Sequence, residues 1–114
     1  MIASELKEQI LGKLRQSVNL RKVILFGSHA HAIADADSDI DLLVVTDDDF
    51  IPSTYEEAMT IYLDVSAALR DIKRRIPVDL IVHTKPMHER FIEWGSMFSK
   101  EIMKTGEILY EKGN

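Results

Sequence analysis

The sequence predicts an α/β (α+β) fold, a single small domain in which helices flank a mixed β-sheet. Short apolar runs bounded by glycine or polar clusters alternate with longer segments whose apolar residues recur at helical spacing. The chain has 114 residues, which suffices for one hydrophobic core but not for two domains. We expect the order α-β-(α)-β-α-β-α-α-β, with the helices on one side of the sheet.

The first predicted helix is followed by two strands. Ser4 opens the helix, which runs to about Val18 and carries an apolar stripe. The first strand covers about 22–26 and the second about 40–46. Residues 28–34 have the composition for one or two helical turns.

Polar segments flank the second predicted strand. Residues 35–38 read as a polar loop, and Asp47-Asp48-Asp49 follows the strand directly. We interpret the three aspartates as a solvated acidic turn that ends the strand, rather than as a metal site.

A long helix is predicted after this turn. Ser53 is the expected N-cap, and Glu56-Glu57 in the first turn suits the helix dipole. The helical spacing continues to about Arg75, and Ile76-Pro77 ends the helix because the residue before proline is disfavoured in the α region.

The last third of the chain is predicted to contain two strands and two helices, in the order strand 78–83, helices 87–94 and 97–104, strand 107–111. We interpret His83 and His88, which flank Pro86, as surface residues of a loop. Trp94, with Phe91 and Phe98, is expected in the core or at a partner contact rather than as a base-stacking platform.

Composition excludes several classes of protein. The net charge of −5 argues against direct nucleic-acid binding, because such proteins usually carry a basic surface. The absence of cysteine excludes disulfides and thiol chemistry. No apolar stretch approaches the roughly 20 residues that span a membrane, and the N-terminus does not resemble a secretory signal. We therefore expect a cytoplasmic protein with no membrane association.

Two carboxylates mark the start of the second strand. Asp39 and Asp41 project from the same side of an extended chain because side chains alternate. Two such charges repel each other unless a cation lies between them, and Mg²⁺ takes one or two carboxylates together with substrate phosphates.

A Gly-Ser pair ends the first strand. Gly27 permits a sharp turn and a close approach to a ligand, and Ser28 is a good N-cap for a short helix whose N–H groups can hold a phosphate. A phosphate cradle that faces a metal-binding carboxylate pair is suited to phosphoryl or nucleotidyl transfer.

Gly27-Ser28, ten residues, then Asp39-Ile40-Asp41 resembles the signature of the nucleotidyltransferase superfamily, in particular its minimal (MNT) branch. Asp79, within Val78–Val82, stands where that family has its third carboxylate, and residues 107–111 resemble its closing strand. The resemblance covers nearly the whole chain.

The resemblance implies a site and a reaction. Asp39 and Asp41 would bind two Mg²⁺ ions, and Asp79 would complete the site as a ligand or general base. Gly27, Ser28 and His31 would contact the nucleotide. The implied reaction transfers a nucleoside monophosphate from an NTP, most plausibly ATP, to a hydroxyl.

The chain departs from the family pattern just after the Gly-Ser pair. The family has Gly-Ser-x-Ala-Arg-Gly, whereas here His31 replaces the arginine and Ala32 the glycine. Histidine offers neither the fixed charge nor the bidentate fork of arginine. Zinc binding by His29 and His31 is disfavoured, because residues two apart do not face each other on a helix.

Stand-alone domains of this kind are typically paired with a small helical HEPN protein. By resemblance, this chain would be the antitoxin of a HEPN/MNT toxin–antitoxin system and would AMPylate a tyrosine of its partner. The alternative is a weak or inactive enzyme that neutralises the HEPN partner by complex formation alone. A third reading is nucleotidylation of a small molecule such as an aminoglycoside.

Overall fold

The computed structural model describes residues 2–30 and 39–113, except for the side chain of Ser28. In these ranges, helices and strands alternate in the predicted order, with a 3₁₀ turn at Gly27–His29. The helices are α1 (Ser4–Ser17), α2 (Tyr55–Ala68), α3 (Arg70–Lys73), α4 (Lys85–Trp94) and α5 (Met97–Thr105). The strands are β1 (Leu20–Phe26), β2 (Ile40–Thr46), β3 (Val78–His83) and β4 (Glu107–Glu111).

The four strands form one mixed sheet in the order β3-β2-β1-β4. β1 pairs antiparallel with β2 and β4, whereas β2 and β3 run parallel. A parallel pair needs a crossover connection, which α2 and α3 provide. The predicted mixed sheet is confirmed.

Helices cover both faces of the sheet, so the expectation of helices on one side is wrong. One face packs against α1, α2 and α3, through Ile10, Leu14, Val65, Leu69 and Ile72. The other face packs against α4 and α5, where Ile24 and Leu43 contact a cluster that includes Ile102 and Phe91. Strands covered on both faces are apolar without interruption, which accounts for Leu42-Leu43-Val44-Val45.

The long helix predicted to reach Arg75 is broken at Leu69. The Leu69 N–H bonds to the Ser66 carbonyl at 3.1 Å, a tighter turn that ends α2 before α3 begins. The N-cap is Thr54 rather than Ser53, since the Thr54 hydroxyl accepts from the Glu57 N–H and the Ser53 hydroxyl donates to the Glu57 carboxylate instead.

His83 and His88 are not loop residues, and the interpretation of them as surface residues is wrong. His83 ends β3, and α4 begins only two residues later with Thr84 as its N-cap and Pro86 in its first turn. This immediate reversal brings His88 back onto His83, so that His88 is 6% exposed. Their Nδ1 atoms lie 3.4 Å apart.

The acidic turn after β2 forms ion pairs with the start of β1 and with the residue that follows β4. Asp47 accepts from Arg21 at 3.1 Å and from Lys112 at 2.6 Å. These contacts hold the pKa of Asp47 below its usual value, with the Lys112 hydrogen bond as the largest cause. In the described ranges no helix has the length and apolarity needed to cross a membrane.

Candidate active site

Gly27 turns the chain sharply at the end of β1 and brings its backbone against Asp41. Its φ of 74° lies in the left-handed region that favours glycine. A Cβ at this position would lie 2.1 Å from Oδ2 of Asp41. The backbone at Gly27 therefore lies close against the Asp41 carboxylate.

Asp41 and Asp79 lie side by side on adjacent strands. The parallel register of β2 and β3 places Asp41 opposite Asp79. On the other side of β2, the antiparallel register with β1 places Phe26 opposite Asp41. Strand alternation puts both carboxylates on the sheet face that α4 and α5 cover further along, since Asp41 shares its side with Leu43 and Asp79 with Ile81.

The two neighbouring carboxyl groups act on each other electrostatically. The pKa of Asp41 is raised above its ordinary value, first because Asp41 is partly buried, then through its interaction with Asp79, and last through the negative charge of Asp39. His29 acts in the opposite direction and lowers the pKa of Asp41. The site thus concentrates negative charge that a bound cation would relieve.

Asp39 stands at the entrance to β2, exposed to solvent, and acts on Asp41 through its charge. In residues 2–30 and 39–113, no group of three or more histidine, aspartate or glutamate side chains is close enough together to enclose a metal ion. The centre of the site is therefore the Asp41–Asp79 pair, with Asp39 beside it.

Two nucleotide-contact predictions fall outside the described part of the chain. The Ser28 side chain and His31 with Ala32 are not among the described residues, so their roles stay predictions. The sequence did not single out His29 as a modulator of Asp41. Its position two residues after Gly27, within the same short motif, was the available signal.

An aromatic row also borders the site. Phe26, the neighbour of Asp41 in the sheet, contacts Phe98 edge to face with ring centroids 5.8 Å apart, and Phe98 contacts Phe91 at 6.2 Å. Phe98 is half exposed, and nearby Trp94 and Met97 are 78% and 90% exposed. Phe91 is packed against the core, as predicted, whereas Trp94 is largely exposed.

A mixed sheet with helices on both faces, with a carboxylate pair on adjacent strands beside a glycine turn, defines a nucleotidyltransferase-type domain. The chain belongs to the polymerase beta nucleotidyltransferase family, which matches residues 8–114. The family resemblance predicted from the motif is thereby confirmed.

Comparison with individual proteins agrees with this assignment. The chain is 30% identical over 91 residues to the Methanocaldococcus jannaschii protein named "Putative protein adenylyltransferase MJ0604", which covers 80% of this chain and 79% of the relative.

Solved structures share the fold. A crystal structure of a toxin–antitoxin with AMP-PNP matches with a TM-score of 0.60 at 18% identity, over 93% of this chain and 73% of that one. The toxin–antitoxin MntA-HepT matches with a TM-score of 0.54 at 19% identity, over 96% of this chain and 74% of that one.

Proposed function

We propose that this protein is a Mg²⁺-dependent nucleotidyltransferase that transfers AMP from ATP to a hydroxyl group. The acceptor is a tyrosine of a partner HEPN toxin, so that the protein acts as an antitoxin. The observation that carries the proposal is the Asp41–Asp79 pair, held in register on adjacent strands against the backbone of Gly27.

The residues present fit magnesium. Carboxylate oxygens are the ligands this ion prefers, and Asp79 and Asp39 place negative charge beside Asp41. Asp41 and Asp79 would hold the ion, and the negative charge of Asp39 would add to its attraction. Bound Mg²⁺ would neutralise charge on the nucleotide phosphates and favour ionisation of the attacking hydroxyl.

The protein's own groups position the reactants and take up the proton. The turn at Gly27 and Ser28 supplies backbone contacts for a phosphate, supported by His31. The acceptor oxygen forms a bond to the α-phosphorus, the bond from that phosphorus to the bridging oxygen breaks, and pyrophosphate leaves. The hydroxyl proton passes to Asp79, which is more exposed than Asp41 and accessible to an acceptor.

The assignment of acceptor and partner is supported by the relatives. One relative is named as a protein adenylyltransferase, and the structural neighbours are toxin–antitoxin assemblies, one of them with AMP-PNP. Phe98 is half exposed and contacts Phe26, the sheet neighbour of Asp41, so it offers an apolar surface beside the site where a protein acceptor would dock.

The same exposed surface favours a second candidate function, neutralisation of the partner by binding alone. In that case the substitution of arginine by His31 and of glycine by Ala32 would have weakened nucleotide binding. The two functions differ in whether the carboxylates are required.

Calorimetric titration of ATP with and without Mg²⁺ tests the carboxylate site directly. We expect wild-type protein to bind ATP only with Mg²⁺, and Asp41→Asn and Asp79→Asn to weaken binding at least about tenfold through loss of a charged ligand. Asp49→Asn is the matched control. Asp49 is exposed and lies beyond the end of β2, so this substitution removes one negative charge outside the site.

Transfer is then measured on HepT, a component of the toxin–antitoxin MntA-HepT, as an increase in mass by one AMP group after incubation with MgATP. Modification by wild type and Asp49→Asn but not by Asp41→Asn supports transfer. Neutralisation of the toxin that is unaffected by Asp41→Asn would instead favour the binding role.

A further inference from the structure

A cavity lies at the end of the sheet opposite the carboxylates. It has a volume of about 540 Å³, within the range of small-molecule sites, and its lining includes Arg21, Lys22, Lys85, His88, Glu111 and Lys112. Arg21 and Lys22 lie near the start of β1 and Glu111 ends β4. Asp41 and Asp79 lie near the starts of β2 and β3, at the opposite end of the sheet, because β1 is antiparallel to β2. This distal cavity is therefore separate from the candidate active site.

The lining of the distal cavity is basic. Its described residues include four basic side chains and two acidic ones, Glu89 and Glu111, although the chain as a whole carries a net charge of −5. Lys22 pairs with Glu111 at 3.3 Å, and Asp47 pairs with Arg21 and Lys112. Among the described residues, Lys85 forms no ion pair and remains available to an anion.

His88 contributes a buried polar atom without a partner. Its Nδ1 faces Nδ1 of His83 at 3.4 Å, whereas its Nε2 is buried and has no hydrogen-bond partner among the described residues. Leaving such a nitrogen unpaired is unfavourable, because the buried group loses its hydrogen bond to water without gaining another. Lys22 and Glu111, which act on His88 electrostatically, line the same cavity.

These features together fit a ligand with several acceptor oxygens and more than one negative charge. A phosphate group has that chemistry, and Lys85, Lys22 and the Nε2–H tautomer of His88 supply donors from α4 and β1. A cavity of about 540 Å³ also accommodates a group attached to the phosphate.

We propose that the distal cavity is a second binding site for a small phosphorylated ligand, held by Lys85 and the Nε2 of His88. The site is independent of the carboxylates and of Mg²⁺. The proposal does not depend on the reaction proposed above.

The test is calorimetric titration of inorganic phosphate and, separately, AMP into the full chain without Mg²⁺, with chloride at matched ionic strength as the reference. We expect saturable binding of at least one probe. Binding of both assigns the site to the phosphate group itself, and binding of AMP alone assigns it to a nucleotide.

Variants locate the binding. Lys85→Gln should weaken it about tenfold, the loss expected for one charge-assisted hydrogen bond. Lys104→Gln, an exposed lysine of α5 that does not line the cavity, should bind like wild type. Asp41→Asn should also bind like wild type, which separates this site from the candidate active site.

Nitrogen NMR of the histidine rings tests the proposal on the wild-type protein, because it reports the chemical environment of each ring nitrogen. On addition of the bound probe, the His88 Nε2 resonance should shift, with a smaller change at His29. The proposal is overturned if neither probe binds saturably, if Lys104→Gln weakens binding as much as Lys85→Gln, if Asp41→Asn abolishes it, or if the His88 resonance does not move.

Discussion

Replacing Gly27 with alanine should damage both the stability and the site of this protein. The residue has a φ of 74°, where an L side chain is strained by about 1–2 kcal/mol. The new Cβ would also lie 2.1 Å from Oδ2 of Asp41, far inside the 3.0 Å that real Cβ contacts respect. One methyl group thus acts on the backbone and on a carboxylate at once.

The geometry sets the size of the effect. Asp41 must retreat by about 0.9 Å to relieve the contact, and a displacement of about 1 Å in a catalytic group can cost a hundredfold in rate. Backbone strain and the displaced side chain together should lower the free energy of unfolding by about 1–3 kcal/mol. At about 4 °C for each kcal/mol, the melting temperature falls by roughly 4–12 °C.

Gly12→Ala is the matched control. Gly12 lies within α1, and no atom lies within 4 Å of the Cβ it would gain, so alanine should stabilise the helix by about 0.5–1 kcal/mol. Urea unfolding and Mg²⁺-dependent ATP titration of both variants complete the comparison. Wild-type stability together with wild-type ATP affinity in Gly27→Ala would refute the contact between Gly27 and Asp41.

Three further predictions concern the rest of the molecule. The pKa of His88 is lowered from 6.5 to about 4, mainly because the ring is buried. The charges of His83 and Lys22 lower it further, whereas the charge of Glu111 raises it. The unfolded chain therefore binds the proton first, and His88 should reduce the free energy of unfolding by up to about 3 kcal/mol as the pH falls from 6.5 to about 4. Urea unfolding should show that the free energy of unfolding of His88→Phe depends less on pH across this range than that of wild type. An equally steep pH dependence in His88→Phe would contradict the burial of the His88 ring. Leu42→Ala and Leu43→Ala, on opposite faces of β2, should each cost about 2–5 kcal/mol, and a near-neutral Leu43→Ala would show that α4 and α5 do not cover their face. Trp94→Ser should change the free energy of unfolding by no more than about 0.5 kcal/mol yet weaken binding to HepT, measured by calorimetry; a large loss of stability would place the ring in the core.

The strands were predictable because their signals are local. The apolar runs of β1 and β2 are bounded by Gly27 and by polar residues, and strand alternation led to the prediction that Asp39 and Asp41 lie on one side. That Asp79 lies next to Asp41 depended on the family resemblance, since the register of β2 and β3 is a long-range property.

The features that the sequence did not predict depend on tertiary packing. The apolar runs of the strands are compatible with a sheet that helices cover on one face or on both faces. The second face is covered because α4 and α5 pack against Ile24 and Leu43. His88 is polar and follows a proline, a local pattern typical of loops, but Pro86 lies in the first turn of α4 and the ring is buried against His83. The break at Leu69 follows from a tightened last turn that the helical spacing does not encode.

The parallel pairing of β2 and β3 has a consequence for how the site forms during folding. Asp41 and Asp79 lie on strands that meet only after α2 and α3 have closed the crossover between them. The entropy cost of closing the long connection between β2 and β3 comes before the stabilising contacts between these strands form. The carboxylate pair should therefore form late along the folding pathway. The binding of a metal–nucleotide complex proposed above should therefore appear only when the sheet is complete.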